Sequence, residues 1–315
     1  MYSLILAITS FFTFMELNVE NLFDCYHDSL KQDYEYLPTA SRRWTPKKYW
    51  RKVNSIAKEI IACSPQTGND TRLPDLVALC EVENDTTMVA LTRRSLLRNA
   101  HYNYFITNSE DERGIDVALL YRETFQPISS YPLRIKRPEG MRPTRDILYV
   151  SGVMNSQDTL HIFVIHAPSR LGGEQKSRPF RMAAAQRLCE STDSILAINP
   201  DANIIIAGDF NDYTGDAPLQ LIEDHGLYEV SATATGKNGA KGTYRYKGRW
   251  GSLDHIFVTK PISKRLHSIY INDLPFLTEK DERYGGRKPY RTYNGPKYRR
   301  KGFSDHLPLV MNINN

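Results

Sequence analysis

The sequence predicts an α/β fold, and three observations carry the prediction. Short apolar runs with strand character recur along the 315 residues. Segments with a helical period stand between them, and strands alternating with helices build α/β layers rather than a bundle or an all-β sandwich. No internal repeat, Gly/Ser linker or low-complexity tract interrupts the chain, so residues 11–315 read as a single domain. A composition of 41% hydrophobic and 24% charged residues excludes collagen-like, coiled-coil and wholly disordered classes.

The elements follow in order. Leu4 to Met15 is apolar but shorter than a membrane span and ends at Glu16, so no transmembrane segment is expected. Residues 1–10 suit a signal peptide or a disordered N-terminus, yet no Lys or Arg precedes the apolar stretch and no small-x-small cleavage site follows. Export (secreted or periplasmic) and a cytoplasmic location therefore stand equal. Phe11 to Asn18 reads as the first strand. Thr45 as N-cap and Pro46 at the first helical position open a helix with Trp50, Val53, Ala57 and Ile60 on one face. Further strands are expected at Leu76 to Val82, Ile115 to Tyr121, Ile147 to Met154, Leu160 to His166, Asn203 to Ala207, Leu253 to Val258 and Leu307 to Ile313. Further helices are expected at Met88 to Leu97, Pro179 to Ile198, and Pro218 to His225 before Gly226.

The stretch from Asp273 to Phe303 has neither period and reads as a long irregular loop. Between Glu279 and Lys301 it holds nine basic residues against three acidic ones, so the formal net charge of +5 is concentrated there. Basic residues interleaved with aromatic ones suit a phosphate-bearing or base-stacking ligand, and an ordinary solvated loop has the same composition. Cys25, Cys63, Cys80 and Cys189 form no CxxC pair, which leaves no zinc or disulfide framework; Cys80 and Cys189 read as core residues. The Asn-x-Thr triplets at Asn69 and Asn84 read as chance sequons.

Polar residues gather at strand ends: Asn18, Glu81, His166, Asp209, Asp254 and the pair Asp305-His306. Each alone is an ordinary turn residue or cap. Together they supply oxygen donors suited to Mg²⁺ and imidazoles able to move a proton near neutral pH, at the strand termini where α/β sheets place their sites. Asp209 and Asn211 are two apart, so an extended backbone would point both side chains the same way. His255 should face away from Asp254, and Glu83 and Asp116 either support the site or cap strands.

Seven strings carry a more specific signal. They are Glu16-Leu-Asn-Val-Glu-Asn-Leu-Phe23, Leu79-Cys-Glu-Val-Glu-Asn84, Gly114-Ile-Asp-Val-Ala-Leu-Leu-Tyr-Arg122, Ile165-His-Ala-Pro-Ser-Arg170, Ala207-Gly-Asp-Phe-Asn-Asp212, Ser252-Leu-Asp-His-Ile256 and Phe303-Ser-Asp-His-Leu-Pro308. In this order they resemble the motif series of the endonuclease/exonuclease/phosphatase family, the fold of deoxyribonuclease I. The resemblance implies a four-layer sandwich of two packed mixed β-sheets flanked by helices, with the site at one sheet edge. It implies Mg²⁺, with Mn²⁺ as an alternative, held by Glu81 with Asn18 and Asp305. It implies His306 as general base or charge stabiliser oriented by Asp254, Asp209 aligning or deprotonating the attacking water, Asn211 holding a phosphoryl oxygen, and His166 serving the leaving group or the transition-state charge. Arg170 and Arg291 are candidate phosphate clamps.

The reaction expected is metal-dependent hydrolysis of phosphodiesters. A nuclease acting on DNA or RNA stands first because of the positive loop. A phosphodiesterase or phosphatase acting on anionic lipid headgroups or small molecules is the alternative, and a non-catalytic binding module a minor one. A monomer is expected.

Overall fold

A computed structural model describes residues 11–65, 72–154, 158–295 and 297–314. The candidate signal at 1–10 and the Asn69 triplet lie outside the described residues. The first half of the chain forms β1 (Phe11–Leu22), α1 (Pro46–Ala62), β2 (Leu76–Val82), α2 (Asp85–Val89), β3 (Asn103–Ile106), β4 (Asp116–Tyr121), β5 (Gln126–Leu133) and β6 (Ile147–Val153). Then come β7 (Thr159–His166), α3 (Glu174–Ile198), β8 (Asn203–Asp209), α4 (Ala217–Asp224) and β9 (Tyr228–Glu229). A hairpin of β10 (Tyr244–Tyr246) and β11 (Arg249–Gly251) precedes β12 (Asp254–Val258), α5 (Lys260–Arg265) and β13 (Leu266–Ile271). Two small hairpins, β14 (Thr278–Lys280) with β15 (Arg287–Pro289) and β16 (Tyr293–Asn294) with β17 (Lys297–Tyr298), lead to β18 (Leu309–Asn314).

Two six-stranded mixed sheets result, ordered β13-β18-β1-β2-β4-β3 and β5-β6-β7-β8-β12-β9. Each has one parallel pair at its centre, β1 with β2 and β7 with β8, and the other pairings are antiparallel. Central strands read as continuous apolar runs because both of their faces are covered. In β1 and β2, Phe12, Phe14, Leu76 and Ala78 enter the core between the sheets, while Met15, Leu17, Val77 and Leu79 pack outward with Val53, Ile56 and Ile60 of α1. In β8, Ile205 and Ala207 face the other sheet, whereas Ile204 and Ile206 pack under α3 and α4 with Ala184, Leu188 and Ile222. Helix, sheet, sheet and helix thus make the four layers.

Several boundaries differ from the sequence reading. Pro46 does open α1, but the Thr45 side chain makes no capping bond. The second helix starts at Asp85 rather than Met88, because Asn84 caps it reciprocally with Thr87, and it continues as a π-helical turn over Ala90–Arg94. The third begins at Glu174 and carries Pro179 inside its second turn. β3, β5 and β13 lie nearest the sheet edges, where exposure dilutes the apolar signal; β5 even contains Pro127 and Pro132. The stretch from Asp273 to Phe303 is a folded excursion of hairpins rather than an irregular loop. Its charges are partly spent inside it: Arg287 donates to Thr278 and Pro275, Arg299 pairs with Glu279, and Arg245 reaches in to Asp281.

Candidate active site

Alternation along β1 takes the inter-sheet face from Phe12 and Phe14 through Glu16 to Asn18. Asn18, Glu81, His166 and Asp209 stand at or near the C-terminal ends of β1, β2, β7 and β8, and Asp254 opens the antiparallel β12 beside them. The convergence forms a cleft of about 800 Å³ lined by Asn18, Glu81, His166, Arg170, Asp209, Asn211, Arg291, Asp305 and His306. Asp254 lies fully buried behind His306, its Oδ2 accepting a 2.7 Å hydrogen bond from His306 Nδ1 and another from the Thr243 hydroxyl. All ten residues singled out in the sequence are therefore brought together.

The strand ends are locally distorted to reach this geometry. Glu20, Asn21, Glu81 and Asn211 all have left-handed φ, from 50° to 64°, where a side chain is unfavourable unless the surroundings impose it. The ladder shifts register between Asn18 and Leu22 and again between Cys80 and Val82. This bulge turns Glu81 so that its Oε2 accepts from Asn21 N at 2.9 Å while Oε1 stands 3.9 Å from His166 Nε2. The reasoning that Asp209 and Asn211 share an extended backbone fails. Asn211 sits in a turn closed by its own N–H on Asp209 Oδ1 at 2.9 Å, and its amide is oriented by the Ala167 carbonyl. Between them and β7, Gly208 has φ +147°, and a Cβ there would lie 1.8 Å from Ile165 O. Only glycine lets β7 and β8 approach where His166 and Asp209 stand in register.

Electrostatics divide the two histidines. Burial opposes a charge on His306, yet Asp254, with Asp209 and Asp305 adding, holds its pKa well above the usual value. These carboxylates favour the charged form of His306. Burial, helped by Arg145 and Arg113, pushes His166 well below its usual value, so it is neutral, and its Nδ1 has no hydrogen-bond partner among the described residues. Its Nε2 stands 3.6 Å from Asp209 Oδ2, which also accepts from Asn18 Nδ2 at 2.9 Å. Asp209 is pushed up to about 7, first by burial and then by Asp254. Ligand atoms of Asp209, Asp254 and His306 lie within 4.8 Å of one another.

Four residues of the site escaped the sequence reading. Glu20 accepts from Thr292 N at 2.6 Å and faces Arg291, whose Nη2 lies 2.8 Å from Asp305 Oδ2; burial and then Asp305 push Glu20 up to about 7. Its position two residues after Asn18 was the available signal. Arg145 binds the carbonyls of His166 and Ala167 and pairs with Asp111, fixing the end of β7. Arg113 reaches Glu81 at 3.9 Å. Glu16 is wholly buried between the sheets with both carboxyl oxygens lacking a hydrogen-bond partner among the described residues, and burial, then Asp254 and Asp209, raise it well above the carboxylate range. Arg170 is spent on Asp216 at 2.9 Å and Asp212 at 3.3 Å and lies over the Tyr213 ring. Glu83 and Asp116 serve local turns, binding Asp24 N and the Thr107–Ser109 loop. His255 does face away, held by Glu229 at 2.7 Å. All four cysteines are free and buried.

Fold, strand-end carboxylates and paired histidines define one class, and a model of the Endonuclease/Exonuclease/phosphatase family matches residues 13–315: the chain belongs to that family. Its fold is the deoxyribonuclease I-like one. A truncated Caenorhabditis elegans TDP2 superposes with a TM-score of 0.59 at 15% identity, covering 97% of this chain and 98% of that one. D. rerio TDP2 complexed with single strand DNA product gives 0.57 at 15%, covering 97% and 100%. An endonuclease/exonuclease/phosphatase from Bacteroides vulgatus gives 0.60 at 14%, covering 96% and 98%. No curated protein matches the chain. No helix of the described residues is long and apolar enough to cross a membrane.

Proposed function

We propose that the chain is a divalent-metal-dependent phosphodiesterase that cleaves nucleic acid. The observation that carries this reading is the single cleft in which the buried Asp254–His306 pair stands within 4.8 Å of Asp209, with a neutral His166 on the other side of that carboxylate. The donor chemistry fits a hard cation. Glu20, Glu81 and Asp305 bring three carboxylates to one cleft, and Asn18 adds an amide oxygen. Glu81, Asp305 and Asn18 would hold Mg²⁺ or Mn²⁺, which when bound supplies Lewis-acid polarisation of a phosphoryl oxygen. Asp209, Asp254 and His306 suit proton handling better than metal binding, because the Nδ1 proton of a charged imidazole already lies on Asp254.

The chain's own groups then divide the work. Asp209, with its pKa near 7, takes the proton of the attacking water as the water oxygen bonds to phosphorus. His306 donates from Nε2 to the phosphoryl oxygens as they gather charge, and Asn211 offers the amide hydrogen that Ala167 does not use. As the bond from phosphorus to the departing oxygen breaks, neutral His166 steadies that oxygen with an Nε2–H hydrogen bond, and the proton taken up by Asp209 is returned to it through solvent. A polyanionic substrate is favoured by Arg42, Arg113 and Arg291, which line the cleft part-exposed although they pair with Glu35, Glu81 and Asp305. The single-strand DNA product bound to the similarly folded D. rerio protein points the same way.

The test is incubation with Mg²⁺ or EDTA on supercoiled DNA, single-stranded DNA, RNA and bis-p-nitrophenyl phosphate, with the His306→Ala variant in parallel. Metal-dependent cleavage of nucleic acid, lost in the variant, is expected. Hydrolysis of the small ester alone would transfer the reading to lipid or small-molecule phosphodiesters, and inactivity throughout would leave a binding module.

A further inference from the structure

A second depression, larger than the cleft at about 1140 Å³, lies between α1 and the excursion that carries β14 to β17. It is lined by Lys47, Arg51, Lys58, Arg300 and Lys301, and no acidic side chain is among its lining residues. None of the five forms an ion pair with a carboxylate among the described residues. Four aromatic rings, Trp50, Phe276, Tyr290 and Phe303, share the lining, Phe276 being 43% exposed and standing 5.4 Å from Phe303.

The depression adjoins the active-site cleft. Tyr290 lines the depression, while Arg291, Thr292 and Tyr293 line the cleft, so one short strip of chain is the wall of both. The wall is fixed from behind: buried Lys52 of α1 donates to Thr292 Oγ1 at 2.7 Å and to the Phe303 carbonyl. Over its rim, Lys48 stands 5.8 Å from the Tyr293 ring centre and 4.7 Å from that of Tyr298.

We propose that this groove holds a single-stranded stretch of nucleic acid running out of the cleft, with phosphates on the five cations and an unstacked base on Phe276. The inference rests on the nuclease reading and adds where the flanking strand goes. Charge complementarity selects a polyanion. Continuity with the cleft selects a strand over a membrane surface, because residues 290–293 wall both.

The test measures binding of a fluorescein-labelled oligothymidine of about 20 nucleotides, longer than a single binding fold's footprint, by anisotropy in EDTA. The proteins compared are the full chain, the triple variant Lys58→Glu/Arg300→Glu/Lys301→Glu, and Phe276→Ala. The triple variant is expected to bind at least about tenfold more weakly at low salt, with a log–log salt slope shallower by about 2. Phe276→Ala is expected to weaken binding about fivefold or more. Both should hydrolyse bis-p-nitrophenyl phosphate at the parent rate, which certifies the fold. If the full chain cleaves nucleic acid but the triple variant binds the oligonucleotide as tightly, the groove assignment falls and the nuclease reading stands. If the full chain hydrolyses only the small ester and neither binds nor cleaves nucleic acid, that reading falls and takes the groove with it. Cosedimentation with phosphatidylserine vesicles that the triple variant loses, with oligonucleotide binding unchanged, would assign the groove to a membrane surface instead.

Discussion

Replacing Asp254 by Asn tests the division of labour between the histidines most directly. The carboxylate is fully buried and His306 is 6% exposed, so their 2.7 Å bond is not discounted for solvent. A buried charge-assisted bond contributes about 1.5–3 kcal/mol, and each 1.36 kcal/mol is about a decade in rate, so the bond alone accounts for roughly ten- to over a hundredfold. Asn can also present its amide hydrogens to Nδ1 and select the wrong tautomer, which carries the expected fall in kcat to about 10²–10³. The pH dependence has a definite sign. Because Asp254 raises the folded-state pKa of His306, the imidazolium, and the stability it confers, is fully present below the unfolded value and is lost only as pH rises through the folded one. In the variant that loss moves toward neutrality, so the alkaline limb of the kcat profile for bis-p-nitrophenyl phosphate should shift to lower pH. A variant within threefold of the parent, with its alkaline limb unmoved, would refute a charged His306.

Two further outcomes follow from packing. Gly208→Ala places a methyl 1.8 Å from Ile165 O at a φ of +147°, and should cost more than about 4 kcal/mol, read as insoluble expression or a collapsed Tm; a soluble variant with parent Tm would refute the close approach. Glu59 is buried on α1 with neither oxygen hydrogen-bonded among the described residues, and burial raises it to about 8 from an ordinary 4.5 despite Lys52. The folded state therefore binds more protons between those values, stability falls as pH rises through that window, and Glu59→Gln should recover up to about 4 kcal/mol at pH near 8 and almost nothing at pH near 4.5, measured by denaturant unfolding.

The sequence exposed what is repetitive and local. Strands buried on both faces, such as β2, β4 and β8, show as unbroken apolar runs, and their polar terminal residues show as the place where the runs stop. Edge strands hide because few of their residues are fully buried. The turn at Asn211 uses left-handed backbone that asparagine tolerates, whereas the bulge at Glu81 depends on left-handed backbone that a glutamate does not announce. Arg145, Arg113 and Lys52 act across long separations, Lys52 on Thr292 and Phe303, so nothing in their own neighbourhood marks them. Glu16 continues the inward face of β1 in plain view, but only the packed sheets reveal that its carboxyl has no hydrogen-bond partner among the described residues.

The pairing of β1 with β18, Phe11 opposite Asn314, ties the order of synthesis to the onset of chemistry. β1 leaves the ribosome about 290 residues before β18, yet one of its two neighbours is that strand, which follows Asp305 and His306. Closing a contact across nearly the whole chain is slow and late. A nascent chain therefore carries an open central strand edge, exposed to wrong pairing and to chaperones, until β18 has been made. It also lacks His306 for all of that time, so the cleft becomes competent only as the sheet is sealed.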